Sequence, residues 1–196
     1  MDAASRALTY MGRIVNEQVG FVVWMTGLSG SGKTTLGVML EDTLRARGLR
    51  VERLDGDTVR QGLSRDLGFS KADRDRNIER VGFVAKLLAR NGVAVICCFI
   101  SPYRAARDQV RAEVAHFVEV YCDAPVEACA ARDVKGLYAR AFAGEIPDFT
   151  GVNDPYEPPF APEVTLHTAT ETPDESLQRL IAALEERGLI PAEVRA

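Results

Sequence analysis

Apolar residues gather along this chain in five short runs, separated by stretches in which apolar positions recur at helical spacing. The runs FVVWM (21–25), RVERL (50–54), VAVICCFI (93–100), FVEVYC (117–122) and VTLH (164–167) read as strands. VAVICCFI is apolar almost throughout, as a strand covered on both faces should be. In TTLGVMLEDTLRARG, Leu36, Met39, Leu40 and Leu44 share one helical face, and Gly48 supplies a stop. Ser70 with Asp73 has the spacing of a capping box that opens a long helix to about residue 90, with Ile78, Val81, Ala85 and Leu88 as its buried stripe. A last helix over 174–187 turns Leu177, Leu180, Ile181 and Leu184 inward. Strands alternating with helices predict an α/β fold of three layers, a mainly parallel five-stranded sheet with right-handed crossovers and helices on both faces.

Two segments stand outside this alternation. Residues 1–18 read as an N-terminal arm, loose or briefly helical, ahead of a single domain over 19–190. Residues 132–162 are polar, rich in glycine and proline, and end in DPYEPPFAP. So long a connection within a compact domain is a functional lid or a disordered insert, and Phe142, Phe149 and Tyr156 within it favour a lid.

The 196 residues suffice for one full core but not for two comfortable domains. A net charge of −4 argues against a nucleic-acid-binding surface, so an anionic ligand must be held by a local cluster of positive groups. No secretory signal and no apolar run of membrane-spanning length is present, which points to a cytoplasmic protein with no membrane partner. Cys97, Cys98, Cys122 and Cys129 show no CxxC or metal-ligand spacing, and reduced, mostly buried thiols are expected. With His116 and His167 the only histidines, a zinc site is not expected.

The chemistry begins directly behind the first run, in GLSGSGKTT. Gly27, Gly32, Lys33 and Thr34 satisfy GxxxxGK[ST], with a strand before and a helix after. Glycines let main-chain N–H groups approach phosphate oxygens, and the helix start adds its free N–H groups and positive dipole end. Lys33 supplies a mobile charge to the β- and γ-phosphates, and the Thr34 hydroxyl can ligate Mg²⁺. The whole stretch, Gly27, Leu28, Ser29, Gly30, Ser31, Gly32, Lys33, Thr34 and Thr35, is the candidate ATP site of a P-loop NTPase or kinase fold.

Three classes share such a loop. A GTPase needs an Asn-Lys-x-Asp motif, which is absent. Motor-type ATPases end a neighbouring strand with an acid, whereas the most buried strand here runs into CCFISPYR; Asp123, at the end of FVEVYCD, reads as a helix N-cap. LDGDTVR (54–60) follows the second strand, and ligands of parallel sheets bind at strand carboxyl ends, so Asp55 and Asp57 should face the phosphate loop. An acid there can orient Mg²⁺-bound water and accept a proton from an acceptor hydroxyl, the layout of a small-molecule kinase. Arg60, Arg74 and Lys135 are candidate anion holders, and Arg74 and Asn77 share a helical face. Phe69 and Phe149, in polar loop settings, are either ordinary core or rings that clamp a base. Arg76, Arg80, Arg104 and Arg107 are not separable from solvated surface charges.

GLSGSGKTT, LDGDTVR, DLGFSKADRDRNIERVG, FISPYRAARD, DVKGLYARAFAGEIPDFTGVNDPYEPP and PEVTLHT, taken in order, resemble the adenylyl-sulfate kinase family from about residue 20 to 187. The resemblance implies a P-loop kinase that moves the γ-phosphoryl of ATP to the 3′-hydroxyl of adenosine 5′-phosphosulfate (APS), with Mg²⁺, in sulfate assimilation. It implies Lys33, Asp57 and Asp55 as catalytic residues. It also implies an acceptor site of Asp57, Thr58, Val59, Arg60, Phe69, Arg74, Asn77, Ile100, Ser101, Lys135, Asp148 and Phe149. Ser101 matches a serine phosphorylated in some members, but direct in-line transfer needs no phosphoserine, so it reads as a substrate contact. The sequence departs at Thr58 (asparagine in the usual pattern), Asn153 (commonly an acid) and Val134 (often proline). Relatives acting on other nucleotide-like acceptors keep most of these motifs, so a kinase for another acceptor is one alternative. A nucleotide-binding regulatory subunit associated with sulfate adenylyltransferase is another. The resemblance suggests a homodimer.

Overall fold

The computed structural model describes residues 18–133 and 135–192. The expected N-terminal arm, except Gln18, and the departure at Val134 lie outside the described residues. Five strands, β1 (Phe21–Thr26), β2 (Val51–Asp55), β3 (Ala94–Cys98), β4 (Phe117–Cys122) and β5 (Val164–Leu166), pair in the order β2-β3-β1-β4-β5, each pairing parallel. They are the five apolar runs, with ends shifted by one or two residues. β3 stops short of Ile100 because the Ile100 carbonyl accepts from the Thr26 hydroxyl (2.7 Å) rather than from a neighbouring strand.

Between the strands lie α1 (Lys33–Ala46), α2 (Gly56–Gln61), α3 (Lys71–Ala89), α4 (Arg104–Glu113), α5 (Val126–Arg132), α6 (Leu137–Phe142) and α7 (Pro173–Glu186). β1 is buried along its whole length, and its alternate residues serve two cores. Phe21, Val23 and Met25 meet Leu36, Leu40 and Leu44 of α1 and Leu180 and Leu184 of α7. Val22 and Trp24 meet Ile78, Val81 and Ala85 of α3 and Val110 of α4. This is the expected three-layer arrangement. The strand order changes direction at β1, which lies between β3 and β4, so the loop that follows β1 opens into the crevice where doubly wound sheets bind ligands.

Local signals set the helix ends. The Ser70 hydroxyl caps α3 by accepting from the Asp73 N–H (3.2 Å), but the Asp73 carboxylate takes the Ser70 hydroxyl proton (2.8 Å) instead of a main-chain one, so half of the expected box forms. The complete capping box belongs to α7. Thr172 accepts from Glu175 N (3.2 Å), Glu175 accepts from Thr172 N (2.8 Å), and Pro173 opens the first turn. Asp123 is not a cap: α5 starts behind Pro125, and the Asp123 carboxylate instead meets His167 Nδ1 (3.2 Å), because β5 runs alongside β4 and brings its end there.

The connection expected to be a lid is partly ordered by its own structure. It contains α6, whose Tyr138 and Ala141 are buried, and a turn in which Phe149 O accepts the N–H groups of Val152, Asn153 and Asp154. The side chain of Asn153 ties that turn, accepting from Phe149 N (2.5 Å) and donating to Ile146 O (2.9 Å). All four cysteines are free and buried. Among the described residues no helix is long and apolar enough to cross a membrane.

Candidate active site

The loop between β1 and α1 is built so that its carbonyls are occupied. Gly27 and Leu28 carbonyls accept from Lys33 Nζ (3.0 and 2.6 Å), and Ser29 O accepts from the Tyr138 hydroxyl (2.8 Å). Gly30 O accepts from Arg132 (3.4 Å) and Ser31 O from the Thr168 hydroxyl (2.9 Å). With these acceptors occupied by protein donors, and with the Ser31 N–H turned onto the Leu28 carbonyl (3.2 Å), the other N–H groups of the loop are what remains for an anion. Glycine is required at position 27, where a Cβ would sit 2.6 Å from Cys122 O and 2.8 Å from Ser31 Oγ. Gly32, at φ 88°, caps α1 without any side-chain bond, so the first turn of the helix presents free N–H groups and the positive dipole end to the loop. Leu28 is the apolar anchor of the loop, packed with Val126 and Val152. Lys33 is only 8% exposed. Burial pushes its ammonium below the usual lysine range, with the Asp55 carboxylate acting in the opposite sense.

The two acids of LDGDTVR have separate surroundings. Asp55 ends β2 and is buried; its Oδ2 accepts from the Thr34 hydroxyl (2.8 Å), and its Oδ1 caps α2 by accepting from Asp57 N (3.1 Å). A hydroxyl and a carboxylate so placed fit Mg²⁺, which keeps most of its waters and binds through one or two protein groups plus substrate phosphates. The Asp57 side chain is 72% exposed and forms an ion pair with Lys135, 78 residues away.

Across from the loop, Arg60 donates to the carbonyls of Leu67 (3.3 Å) and Gly68 (3.0 Å), with its guanidinium 4.3 Å from the ring centroid of Phe69. Arg74 is buried in the first turns of α3, and its Nε donates to Phe69 O (2.8 Å) while Nη2 donates to Asp148 O. One guanidinium therefore joins the two loops that carry the candidate base-stacking rings. Phe69 is 57% exposed; the ring of Phe149 meets Tyr138 edge-on at 5.0 Å. Asn77 is buried one helical turn from Arg74, and its Oδ1 has no protein partner among the described residues. Ser101 (φ 40°) and Asp148 (φ 54°) occupy left-handed conformations, and the buried Ser101 hydroxyl accepts from the Trp24 indole N–H (3.1 Å). Thr58 lies on α2, whereas the Val59 side chain turns into the core that holds Trp24. Thr35 is exposed on the first turn of α1.

Sequence reasoning missed Arg132, Tyr138 and Thr168, which brace the phosphate loop from α5, α6 and the turn after β5. Each acts on a main-chain carbonyl far along the chain, so no spacing announces it. Asp154, which receives the Tyr103 hydroxyl (3.1 Å) and lies 3.7 Å from Arg74, was missed for the same reason.

The family model described as adenylylsulphate kinase matches residues 19–167. The chain belongs to the adenylylsulphate kinase family. It is 64% identical over 165 residues to a probable adenylyl-sulfate kinase of Pseudomonas aeruginosa, covering 84% of this chain and 77% of that one. It is 58% identical over 172 residues to a probable bifunctional SAT/APS kinase of Sorangium cellulosum, covering 88% of this chain and 30% of that longer protein. Among solved structures it is similar to the APS kinase of Mycobacterium tuberculosis in complex with AMPPNP and APS, with TM-score 0.81 and 44% identity over 85% of this chain and 98% of that one. As a member of the adenylylsulphate kinase family, the chain is an ATP-dependent phosphotransferase of P-loop kinase fold, working with ATP and Mg²⁺.

Proposed function

We propose that this chain transfers the γ-phosphoryl group of ATP to the 3′-hydroxyl of APS, giving ADP and 3′-phosphoadenylyl sulfate, and that the residues above divide the work as follows. The N–H groups of residues 27–33 and the Lys33 ammonium bind the triphosphate. The Lys33 ammonium, whose place in the loop is set by its bonds to the carbonyls of Gly27 and Leu28, meets the charge that develops on the bridging oxygen. Thr34 and Asp55 would hold Mg²⁺, which when bound neutralises phosphate charge and fixes the phosphoryl oxygens. Asp57 accepts the proton of the 3′-hydroxyl as its oxygen forms the new P–O bond and the bond to the ADP oxygen breaks. Lys135 keeps the Asp57 carboxylate at the mouth of the site. Arg60 and Arg74 face the phosphosulfate, and Phe69 and Phe149 enclose the adenine. The segment 132–162 acts as a lid that excludes water. The Ser101 hydroxyl accepts from the Trp24 indole and serves as an acceptor contact, since direct in-line transfer needs no phosphoserine.

The observation that carries this reading is the joint placement of an anion loop with its carbonyls all satisfied and the Thr34–Asp55 pair 2.8 Å apart at the carboxyl end of the sheet. ADP release by the isolated chain, with APS compared against a panel of other nucleotide and sugar alcohols, tests it. Turnover with APS alone supports it; equal turnover with another alcohol makes the chain a kinase of different acceptor, and no ADP at all makes it a regulatory subunit. Stacking between an aromatic ring and a base is worth roughly 1–3 kcal/mol, so Phe149→Ala is expected to raise the KM for APS by about tenfold with the KM for ATP held within about twofold. Equal changes in both constants would remove the ring from the acceptor site. A homodimer and an association with sulfate adenylyltransferase belong to the same reading, the second favoured by the fused bifunctional relative; light scattering and co-purification test them.

A further inference from the structure

Arg107, on α4, is 1% exposed, an unusual place for the residue type. Its three guanidinium nitrogens have three different partners. Nε donates to Glu119 Oε1 (2.7 Å), Nη1 to the carbonyl of Ser101 (2.6 Å) and Nη2 to the carbonyl of Glu157 (2.8 Å). Glu119, on β4, is buried as well, and its other oxygen accepts from Arg111 (3.0 Å). Arg111 forks onto Glu163 (2.6 and 2.9 Å), whose carboxylate also takes the main-chain N–H of Glu119 (2.6 Å). Alternating charges thus link α4, β4 and the entry to β5.

The two carbonyls at the inner end of this relay belong to the acceptor side of the site. Ser101 follows Ile100 in the loop after β3, in a backbone conformation that an L-residue adopts only when its surroundings hold it there. Glu157 lies near the C-terminal end of the lid segment, and it is stitched to the same loop a second time: its N–H donates to Pro102 O (2.8 Å), and its carboxylate accepts from Arg104 N (2.8 Å). None of the relay's bonds described above reaches residues 27–34.

We propose that Arg107 is a positioning residue for the acceptor. By donating to the Ser101 and Glu157 carbonyls at once, it holds the loop after β3 and the C-terminal root of the lid in one register, and Glu119 fixes the direction of its fork. This rests on the reading that APS binds between that loop and the lid. A lysine keeps the charge but cannot hold three partners in one plane, so it is not an equivalent residue here.

Steady-state kinetics of the full chain in both substrates test the proposal. Arg107→Lys is expected to raise the KM for APS by about tenfold or more while the KM for ATP stays within about twofold, since a loop displaced by a fraction of an ångström misplaces what it contacts. Glu119→Gln moves the same constant in the same direction by a smaller factor, and carries the test if the lysine variant does not fold. Arg111→Gln breaks the outer half of the relay, touches neither carbonyl, and is expected to lower the melting temperature with the KM for APS within about twofold of wild type. A parallel rise of both KM values, an unchanged KM for APS in both inner variants, or an Arg111→Gln effect as large as that of Arg107→Lys would reduce the relay to a stabilising element and overturn the inference. A wild-type chain inactive on APS would instead remove the acceptor reading on which the inference stands.

Discussion

Lys33→Ala is expected to lower kcat by about a hundredfold or more, because removing one group aimed at developing charge in a water-poor site costs on that order. The structure adds a reason for the size of the effect. The ammonium donates to the carbonyls of Gly27 and Leu28, so its loss removes the transition-state contact and also takes the side-chain donor from the Gly27 carbonyl, whereas the Leu28 carbonyl keeps the N–H of Ser31. The KM for ATP should rise too, since the loop then has to be held open by its remaining braces, Arg132, Tyr138 and Thr168. Lys33→Arg is not expected to restore activity: the planar guanidinium does not fit an enclosure sized for a compact ammonium 2.6–3.0 Å from two carbonyls. Single-turnover measurement of ADP formation, with circular dichroism to confirm folding, decides the matter. Turnover near the wild-type rate in a folded Lys33→Ala chain would contradict the assignment.

Asp57→Asn is the second large effect, a fall in kcat of roughly 10²–10⁴ with the KM for ATP little changed. The substitution keeps the shape of the side chain and a bond to Lys135 but removes the acceptor for the 3′-hydroxyl proton. Its contacts justify the expected split between the two constants. Asp57 donates its N–H to Asp55 Oδ1 and pairs its carboxylate with Lys135, and neither bond is to the phosphate loop. Asp55→Asn should behave differently, shifting the Mg²⁺ concentration needed for half-maximal rate, because that carboxylate is the one bonded to Thr34. If Asp57→Asn retained its rate while binding APS poorly, the residue would be an acceptor contact and not the base.

Much of the fold could be read in advance because its signals are local. β1 and β3 announce themselves by unbroken apolar runs, α1 by its period, and the phosphate loop by glycines and a lysine whose spacing follows from the geometry of anion binding. α4 escaped for a physical reason. In RAARDQVRAE the buried positions are Arg107 and Val110, so one of the two buried anchors is a charge, a residue type that composition assigns to the surface. The resemblance placed Val59 in the acceptor site, yet its side chain is core; sharing a motif with the site does not say which way a residue faces. Asp123 read as a cap because its chain neighbours suit one, while its actual partner, His167, directly follows the next strand of the sheet. Arg74 on Phe69 is a local bond, but those that tie the acceptor side across the chain, Arg74 on Asp148 and Lys135 on Asp57, span separations that only the closed fold brings within reach.

The placement of the four thiols has a practical consequence. Cys97, Cys98, Cys122 and Cys129 all lie in the interior, and burial pushes Cys98 and Cys122 up to about 12, far from the thiolate form that alkylating reagents attack. Cys122 lies beneath the turn at Gly27, where its carbonyl fixes the need for glycine, and Cys98 neighbours the start of α1 through Lys33 O (3.5 Å). Iodoacetamide incorporation at Cys97, Cys98 and Cys122, which lie on β3 and β4, therefore clocks rupture of the sheet itself, and nucleotide that tightens the folded state should slow that clock in proportion to its occupancy.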